Sequence, residues 1–190
     1  MSSGDTYPVY SVTDEPRGPS AGPVAARRYS ATMTTPDFVL ALREKIGTAP
    51  LWLSGVTAVV VRDSDVLLVR RSDNGQWTPV TGIIDPGEEP AIAAVREVEE
   101  EAAVIATAQR LVWVRVTEPT VYPNGDQSQY LDLVFRLDWV SGEPHPADGE
   151  NTEAGWFSLS ALPPMTADMR ARVQAAVDNH PEARFHITNQ

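Results

Sequence analysis

Residues 82–104 read GIIDPGEEPAIAAVREVEEEAAV, and they hold seven acids (Asp85, Glu88, Glu89, Glu97, Glu99, Glu100, Glu101) against one base, Arg96. Residues 90–102 read as a helix. On it Glu97, Glu100 and Glu101 stand at i, i+3 and i+4, which gathers three carboxylates within about 100° of arc. Ala91, Ile92, Val95, Val98 and Ala102 fall on the other side, so the expectation is a helix docked on a sheet with its acids outside. Glu99 falls among the apolar positions and is expected at their edge, head in water. Like charges at these spacings repel by a few tenths of a kcal/mol per pair, roughly, and helix formation alone gives no reason to stack three. A cation should compensate. An all-oxygen set suits a hard divalent ion such as Mg²⁺, while a solvated acidic face paired in part with Arg96 is the alternative that the helix by itself leaves open.

The segment carries −6 of the net −11 that the 190 residues hold, with 15 Lys and Arg against 26 Asp and Glu. That balance argues against a nucleic-acid polymer or an anionic membrane surface as partner. There is no cysteine, which excludes disulfides, thiolate metal sites and a cysteine nucleophile. No run reaches the roughly 18 apolar residues of a membrane helix and no signal peptide is readable, so a cytoplasmic protein is expected.

Outward from the acidic helix, GVTAVVV at 55–61 and DVLLVRR at 65–71 are β-branched runs separated by Arg62-Asp63-Ser64, a hairpin pattern. Asn74-Gly75 marks a turn. Residues 108–118 and 128–140 read as two long strands around Pro123-Asn124-Gly125-Asp126, and Gly155-Trp156-Phe157 as a short one. Thr35-Pro36-Asp37 predicts a helix start with Phe38, Leu42 and Ile46 on one face and Gly47 at its end, and a last helix is expected from Thr166 with Met169, Val173 and Val177 aligned. The first 35 residues contain no Leu, Ile, Phe or Trp, and 17 are Pro, Gly, Ser or Thr. They cannot bury enough apolar surface to offset ordering, so residues 1–35 are expected to be a disordered tail, with Met33 an alternative start, and 36–190 a single domain.

The spacing of Gly82, Glu88, Arg96-Glu97-Val98, Glu100-Glu101 and Ala103-Val104 closely resembles the Nudix hydrolase box, as in MutT-like and ADP-ribose pyrophosphatase-like proteins. Only Ala103 departs, where the pattern has Gly. Glycine there takes a left-handed helix cap without steric cost, whereas alanine pays about 1 kcal/mol or more. The resemblance implies an α+β fold, an α/β/α sandwich with a mixed β-sheet between helices. It implies a hydrolase that uses Mg²⁺ or Mn²⁺ to cleave the diphosphate of a nucleoside diphosphate linked to another moiety, such as ADP-ribose, a sugar nucleotide or a nucleoside triphosphate. Carried onto this chain, Glu97, Glu100, Glu101 and the Gly82 carbonyl would hold the metal, and Glu88 and Arg96 would brace the loop and helix.

A carboxylate must also take a proton from the attacking water. Glu97 and Glu100 are the first candidates. Later acids, Glu143, Asp148, Glu150 and Glu153, supply others, with Glu153 preferred for its place beside Trp156-Phe157, and His145 in the same loop reads as a solvated residue. Arg70 and Arg71 are candidates to hold a phosphate, and strand alternation allows only one of them to face the site. Trp52, Trp77, Trp113, Tyr122 and Tyr130 are able to stack a base or to be core. Two other functions are weighed. A non-catalytic nucleotide-binding regulatory domain of the same fold should have lost box carboxylates or gained a DNA-binding domain. An isoprenoid-diphosphate isomerase should carry a catalytic cysteine. A small-molecule partner is expected, with a homodimer as the assembly left open.

Overall fold

The computed structural model describes residues 35–178 and 180–187, so the tail expected at 1–35 lies outside the described residues but for Thr35. The element order is α1 (Asp37–Ile46), β1 (Leu51–Arg62), β2 (Asp65–Arg71), β3 (Trp77–Thr78), β4 (Val80–Ile83), α2 (Pro90–Ala102), β5 (Ile105–Val116), β6 (Thr120–Val121), β7 (Gln127–Ser141), β8 (Asn151–Ser158) and α3 (Ala167–Val177). The sheet is mixed, in the order β3-β2-β1-β7-β5, with β4 on β1, β6 on β7 and β8 on β2. β1 and β7 run parallel from Leu51↔Ser128 to Val61↔Asp138, and the remaining pairings are antiparallel.

β1 is buried on both faces from Val56 to Val61, as a continuous β-branched run predicts for a central strand covered twice. Its alternate side chains enter two cores. Val56, Ala58 and Val60 meet Leu67, Val69, Ala94 and Val98 beneath α2, and Val59 and Val61 meet Leu68, Val134, Val173 and Ala176 beneath α3. Helix, sheet and helix thus form the expected α/β/α sandwich. Among the described residues no helix is long and apolar enough to cross a membrane.

β1 and β2 pair only beside their hairpin, at Val61↔Val66 and Arg62↔Asp65. Further down they part: β1 takes β4 as its neighbour, through Gly55↔Ile83 to Ala58↔Val80, and β2 takes β3 and β8. The sheet therefore splits beneath α2, and the site lies where it splits.

Both outer helices correct the expected faces. On α1 the buried residue is Val39 rather than the stripe Phe38, Leu42 and Ile46. Arg43, one turn on from Val39, decides this by donating to Gln127 O at 2.7 Å and to Ala49 O at 2.6 Å. Pro36, not Thr35, is the cap residue there. On α3 the Thr166 cap stands, its Oγ1 accepting Met169 N at 3.2 Å. The buried face, however, includes Arg172. Its guanidinium donates to Thr57 Oγ1 at 2.8 Å and lies 3.1 Å from Asp132 Oδ2, so α3 is fastened to the sheet by a paired charge as well as by apolar contact.

α2 ends at Ala103, which adopts φ 54° and ψ 32° and donates its N–H to Glu99 O at 3.0 Å. Alanine makes the left-handed cap in place of glycine and carries the strain. Replacing Ala103 by Gly should therefore raise stability by about 0.5–1 kcal/mol, the relief of strain less the entropy that glycine adds to the unfolded chain. Urea denaturation midpoints of the two proteins measure it.

Candidate active site

The inward face of α2 is where the structure departs most from expectation. Its buried residues are Ala93, Ala94, Val98, Glu101 and Ala102, while Ile92, expected on the sheet, is 62% exposed. Small side chains at 93 and 94 let the helix approach closely. The same face continues into Glu97 and Glu101, so two of the three stacked carboxylates point toward the split in the sheet instead of outward. Glu99 remains exposed.

Glu97 lies directly on Gly82 of β4. A Cβ at residue 82 would stand 2.0 Å from the Glu97 carboxyl carbon, so only glycine leaves room for that carboxylate. Gly55 gives similar room from the other side, since a Cβ there would come within 3.3 Å of Gly82 O. Glu101 is only 4% exposed, and Asn151 Nδ2 donates to its Oε2 at 2.7 Å.

Arg96 gathers the remaining acids. It grips Glu88 with two bonds, Nε to Oε1 at 2.8 Å and Nη2 to Oε2 at 2.9 Å, and its Nη1 donates to Glu97 Oε1 at 2.9 Å and Glu100 Oε2 at 3.0 Å. Glu88 also accepts from Asp85 N at 3.2 Å, which closes the turn before α2. One guanidinium thus ties the loop to the helix and engages one oxygen of each of two stacked carboxylates.

Burial pushes the Glu97 carboxyl up to about 7, against the opposing pull of Arg96, and the charges of Glu100 and Glu150 push the same way. Burial also holds Glu101 well above the usual carboxylate range. Asn151 opposes the rise, while Glu97, Glu150 and Asp148 add to it. Glu88 is lowered by its bonds to Arg96.

Of the two candidate arginines, the strand faces separate them. Arg71 follows Val69 on the α2 side, and the charges of Glu101 and Glu150 act on it. Asp73 holds it through two bonds, at 3.0 and 2.9 Å. Arg70 points to the α3 side, where it pairs with Glu153 at 2.6 Å.

Glu153, the preferred later acid, is accordingly not brought to the carboxylates. The register of β2 and β8 slips between Arg70↔Glu153 and Arg71↔Asn151. Thr152 is the extra residue of this β-bulge, and it turns Asn151 to the α2 side while Glu153 stays on the other. Asn151 is the site residue that sequence reasoning missed. A lone Asn before a short strand carries no signal, because the bulge that aims it depends on pairing with β2.

The segment 142–150 runs over the end of α2. His145 N and Ala147 N donate at 3.2 Å to Ala102 O and Glu101 O, two of the carbonyls a helix end leaves unpaired. His145 is thus placed by its backbone, its ring bonded back to Glu143 O at 3.1 Å. Among the aromatic candidates, Trp77 is in the α3-side core against Phe157, Trp113 lies under Arg115 and Trp52 is exposed. Tyr122 and Tyr130 share a hydrogen bond of 2.7 Å, and the charge of Arg71 reaches Tyr122.

Among the described residues no three acidic or histidine side chains converge as a ready ligand group, because Arg96 and Asn151 already hold the trio. The donor set nevertheless fits a hard cation. It is all oxygen, Gly82 is kept clear of a side chain for Glu97, and the half-buried Glu97 and the buried Glu101 are close enough that the charge of Glu97 acts on Glu101.

A NUDIX domain family model matches residues 52–176. The chain is 34% identical over 111 residues to the NAD-capped RNA hydrolase NudC of Pseudomonas aeruginosa, covering 57% of this chain but only 37% of that one. It is 31% identical over 116 residues to the ADP-ribose pyrophosphatase of Methanocaldococcus jannaschii, covering 60% of this chain and 66% of the relative. In structure it is similar to a MutT NUDIX hydrolase from Burkholderia pseudomallei, with a TM-score of 0.51 and 28% identity over 66% of this chain and 98% of that one.

The Glu97 shift has a consequence for stability. A carboxyl raised from 4.5 to about 7 in the fold binds more protons folded than unfolded between those values, so its charge costs stability as pH rises through that window and costs nothing below it. Glu97→Gln should therefore be more stable than the parent by about 1–3 kcal/mol near pH 8 in the absence of divalent ions, the gap closing toward pH 5. Urea midpoints at both pH values check the sign.

Proposed function

The chain belongs to the NUDIX family, and from that membership we propose that it is a Mg²⁺- or Mn²⁺-dependent hydrolase of a nucleoside diphosphate linked to another moiety. ADP-ribose, a sugar nucleotide and a nucleoside triphosphate are the substrate classes. The observation that carries the reading is the juxtaposition, at the split in the sheet, of the half-buried Glu97 and the buried Glu101 with Arg71, whose guanidinium feels the charge of Glu101. Anionic oxygens on one side and a cation on the other suit a metal-bearing diphosphate lying between them.

In this reading Glu97, Glu100, Glu101 and the Gly82 carbonyl hold the metal, which when bound neutralises the diphosphate, polarises the phosphoryl oxygen and acidifies water. Arg71 takes a phosphate oxygen, and Asp73 holds its guanidinium in place. Arg70 is left out, occupied by Glu153 on the other face. A carboxylate must accept the proton of the attacking water. Glu97, raised toward neutrality, and Glu150, whose charge acts on both Glu97 and Glu101, are in position for it. Glu88 and Arg96 position the helix.

The domain is taken as 36–190 and the protein as cytoplasmic. The relatives named for ADP-ribose and for NAD-capped RNA favour a dinucleotide-like diphosphate among the substrates, and the net charge of −11 favours a small one over a polymer.

Purified protein should release phosphate-bearing products from at least one member of a panel of ADP-ribose, sugar nucleotides, dinucleotides and nucleoside triphosphates when Mg²⁺ is present. Glu100→Gln or Glu101→Gln should lower that rate about 100-fold or more with the fold retained by circular dichroism. Activity undiminished in excess EDTA, or in either variant, would sink the proposal. A non-catalytic nucleotide-binding domain would instead bind the panel without turnover.

A divalent ion should also raise the melting temperature, and more near pH 8 than near pH 5.5. Glu97 and Glu101 must lose their protons to bind it, and both are held above the usual carboxylate range. Thermal melts with and without Mg²⁺ at the two pH values measure the difference.

A further inference from the structure

The segment 142–150 has no helix or strand, yet it leads Glu150 into Asn151, whose Nδ2 donates to Glu101 of α2 at 2.7 Å, and the charge of Glu150 acts on both Glu97 and Glu101. Its middle is held by the α2 carbonyls at Glu101 and Ala102, and its far end by Ser72, whose N and Oγ donate to Glu150 O at 2.9 and 2.7 Å. The near end is anchored differently. Arg62, the last residue of β1, lies between two indoles, with its Cζ 4.2 Å from the Trp156 ring centroid and 5.4 Å from that of Trp139. The two rings meet edge to face at 6.5 Å.

Trp139 stands on β7 just before the segment and donates its Nε1 to Gly142 O at 3.0 Å. Trp156 stands on β8 just after it. Glu143, second in the segment, has its Oε1 3.6 Å from Arg62 Nη1. One guanidinium therefore touches the strand leading in, the strand leading out and the segment itself. Gly142 shows how closely the path is constrained: it has φ +93°, and a Cβ there would stand 2.6 Å from Ala103 O. A loop without internal structure keeps one path only if its ends are fixed. A broad guanidinium set against two perpendicular indoles does this in a way that a compact ammonium does not.

Resting on the hydrolase reading above, we propose that Arg62 is a positioning residue: clamped between Trp139 and Trp156, it fixes the path of the segment 142–150 and thereby sets Glu150 beside Glu97 and Glu101. Arg62 touches no candidate substrate or metal ligand and acts through Glu150.

The test compares Arg62→Met and Arg62→Lys with the parent protein. Arg62→Met should lower kcat about 10-fold with KM within about twofold, and Arg62→Lys, which keeps the charge but not the guanidinium's contact with both rings, should recover part of the loss. In a Glu150→Gln background, Arg62→Met should cost less than about twofold more, because both changes act on one group. Undiminished kcat in Arg62→Met, full activity in Glu150→Gln, or losses that multiply in the double variant overturn the proposal.

Amide hydrogen exchange reads the clamp without turnover. The His145 and Ala147 amides should exchange about 10-fold faster in Arg62→Met, with those of Val59 and Val134 unchanged. Acceleration spread evenly over the sheet would mean a merely structural role and overturn it. Should the parent protein turn over no substrate on the panel, the hydrolase reading fails, while the exchange result still decides whether Arg62 holds the segment.

Discussion

Two carboxylates, the half-buried Glu97 and the buried Glu101, lie on the sheet-facing side of α2, and much of the surrounding structure offsets the cost of keeping them there. An isolated buried carboxylate is expensive and responds by taking up a proton, as the raised affinities of both groups show. What holds them is specific. Gly82 makes room for one and Asn151 donates to the other. Arg96, itself tied twice to Glu88, supplies the positive charge. The split between β1 and β2 opens the sheet at this level, so the carboxylates look into a gap rather than into packed valines.

The Nudix-like spacing made the helix, its bounds and its ligand-type residues legible, because 3.6-residue periodicity and a charge run are local signals. Which way the helix faces was not local. Ala91, Val95, Val98 and Ala102 meet the core as the pattern expects, but the packed face is rotated toward the smaller Ala93 and Ala94 and leaves Ile92 exposed. The preference for Ile92 as core followed hydrophobicity alone and overlooked the gain from close approach by small side chains. Arg172 shows the same limit on α3: nothing local marks an arginine as buried until Thr57 and Asp132, 115 and 40 residues earlier, are seen to meet it.

Charge tells a related story. A total of −11 argues against gripping a long polyanion, and the concentration of acid in 82–104 places that repulsion at one site. Yet the site is not uniformly negative. Arg96 is embedded in it and Arg71 faces it, so whatever enters it meets cations as well as anions. Net charge describes the approach of a partner, whereas the order of charges over a few ångströms determines what is held.

The irregularities of the backbone gather around the same place. The left-handed Ala103, the glycine-only path at Gly142 and the bulge at Thr152 all lie at or beside the C-terminal end of α2. Each breaks a regular pattern that sequence reading assumes: a glycine cap, a loop free to vary and strict alternation along a strand. The bulge has the largest effect. Had β8 kept its register, Asn151 and Glu153 would share a face, and both would point away from Glu101 toward α3. One inserted residue brings the neutral Asn151 amide onto Glu101, where regular alternation would have put Thr152. The position of a single unpaired threonine thus decides that Glu101 can stay buried, and with it the composition of the site.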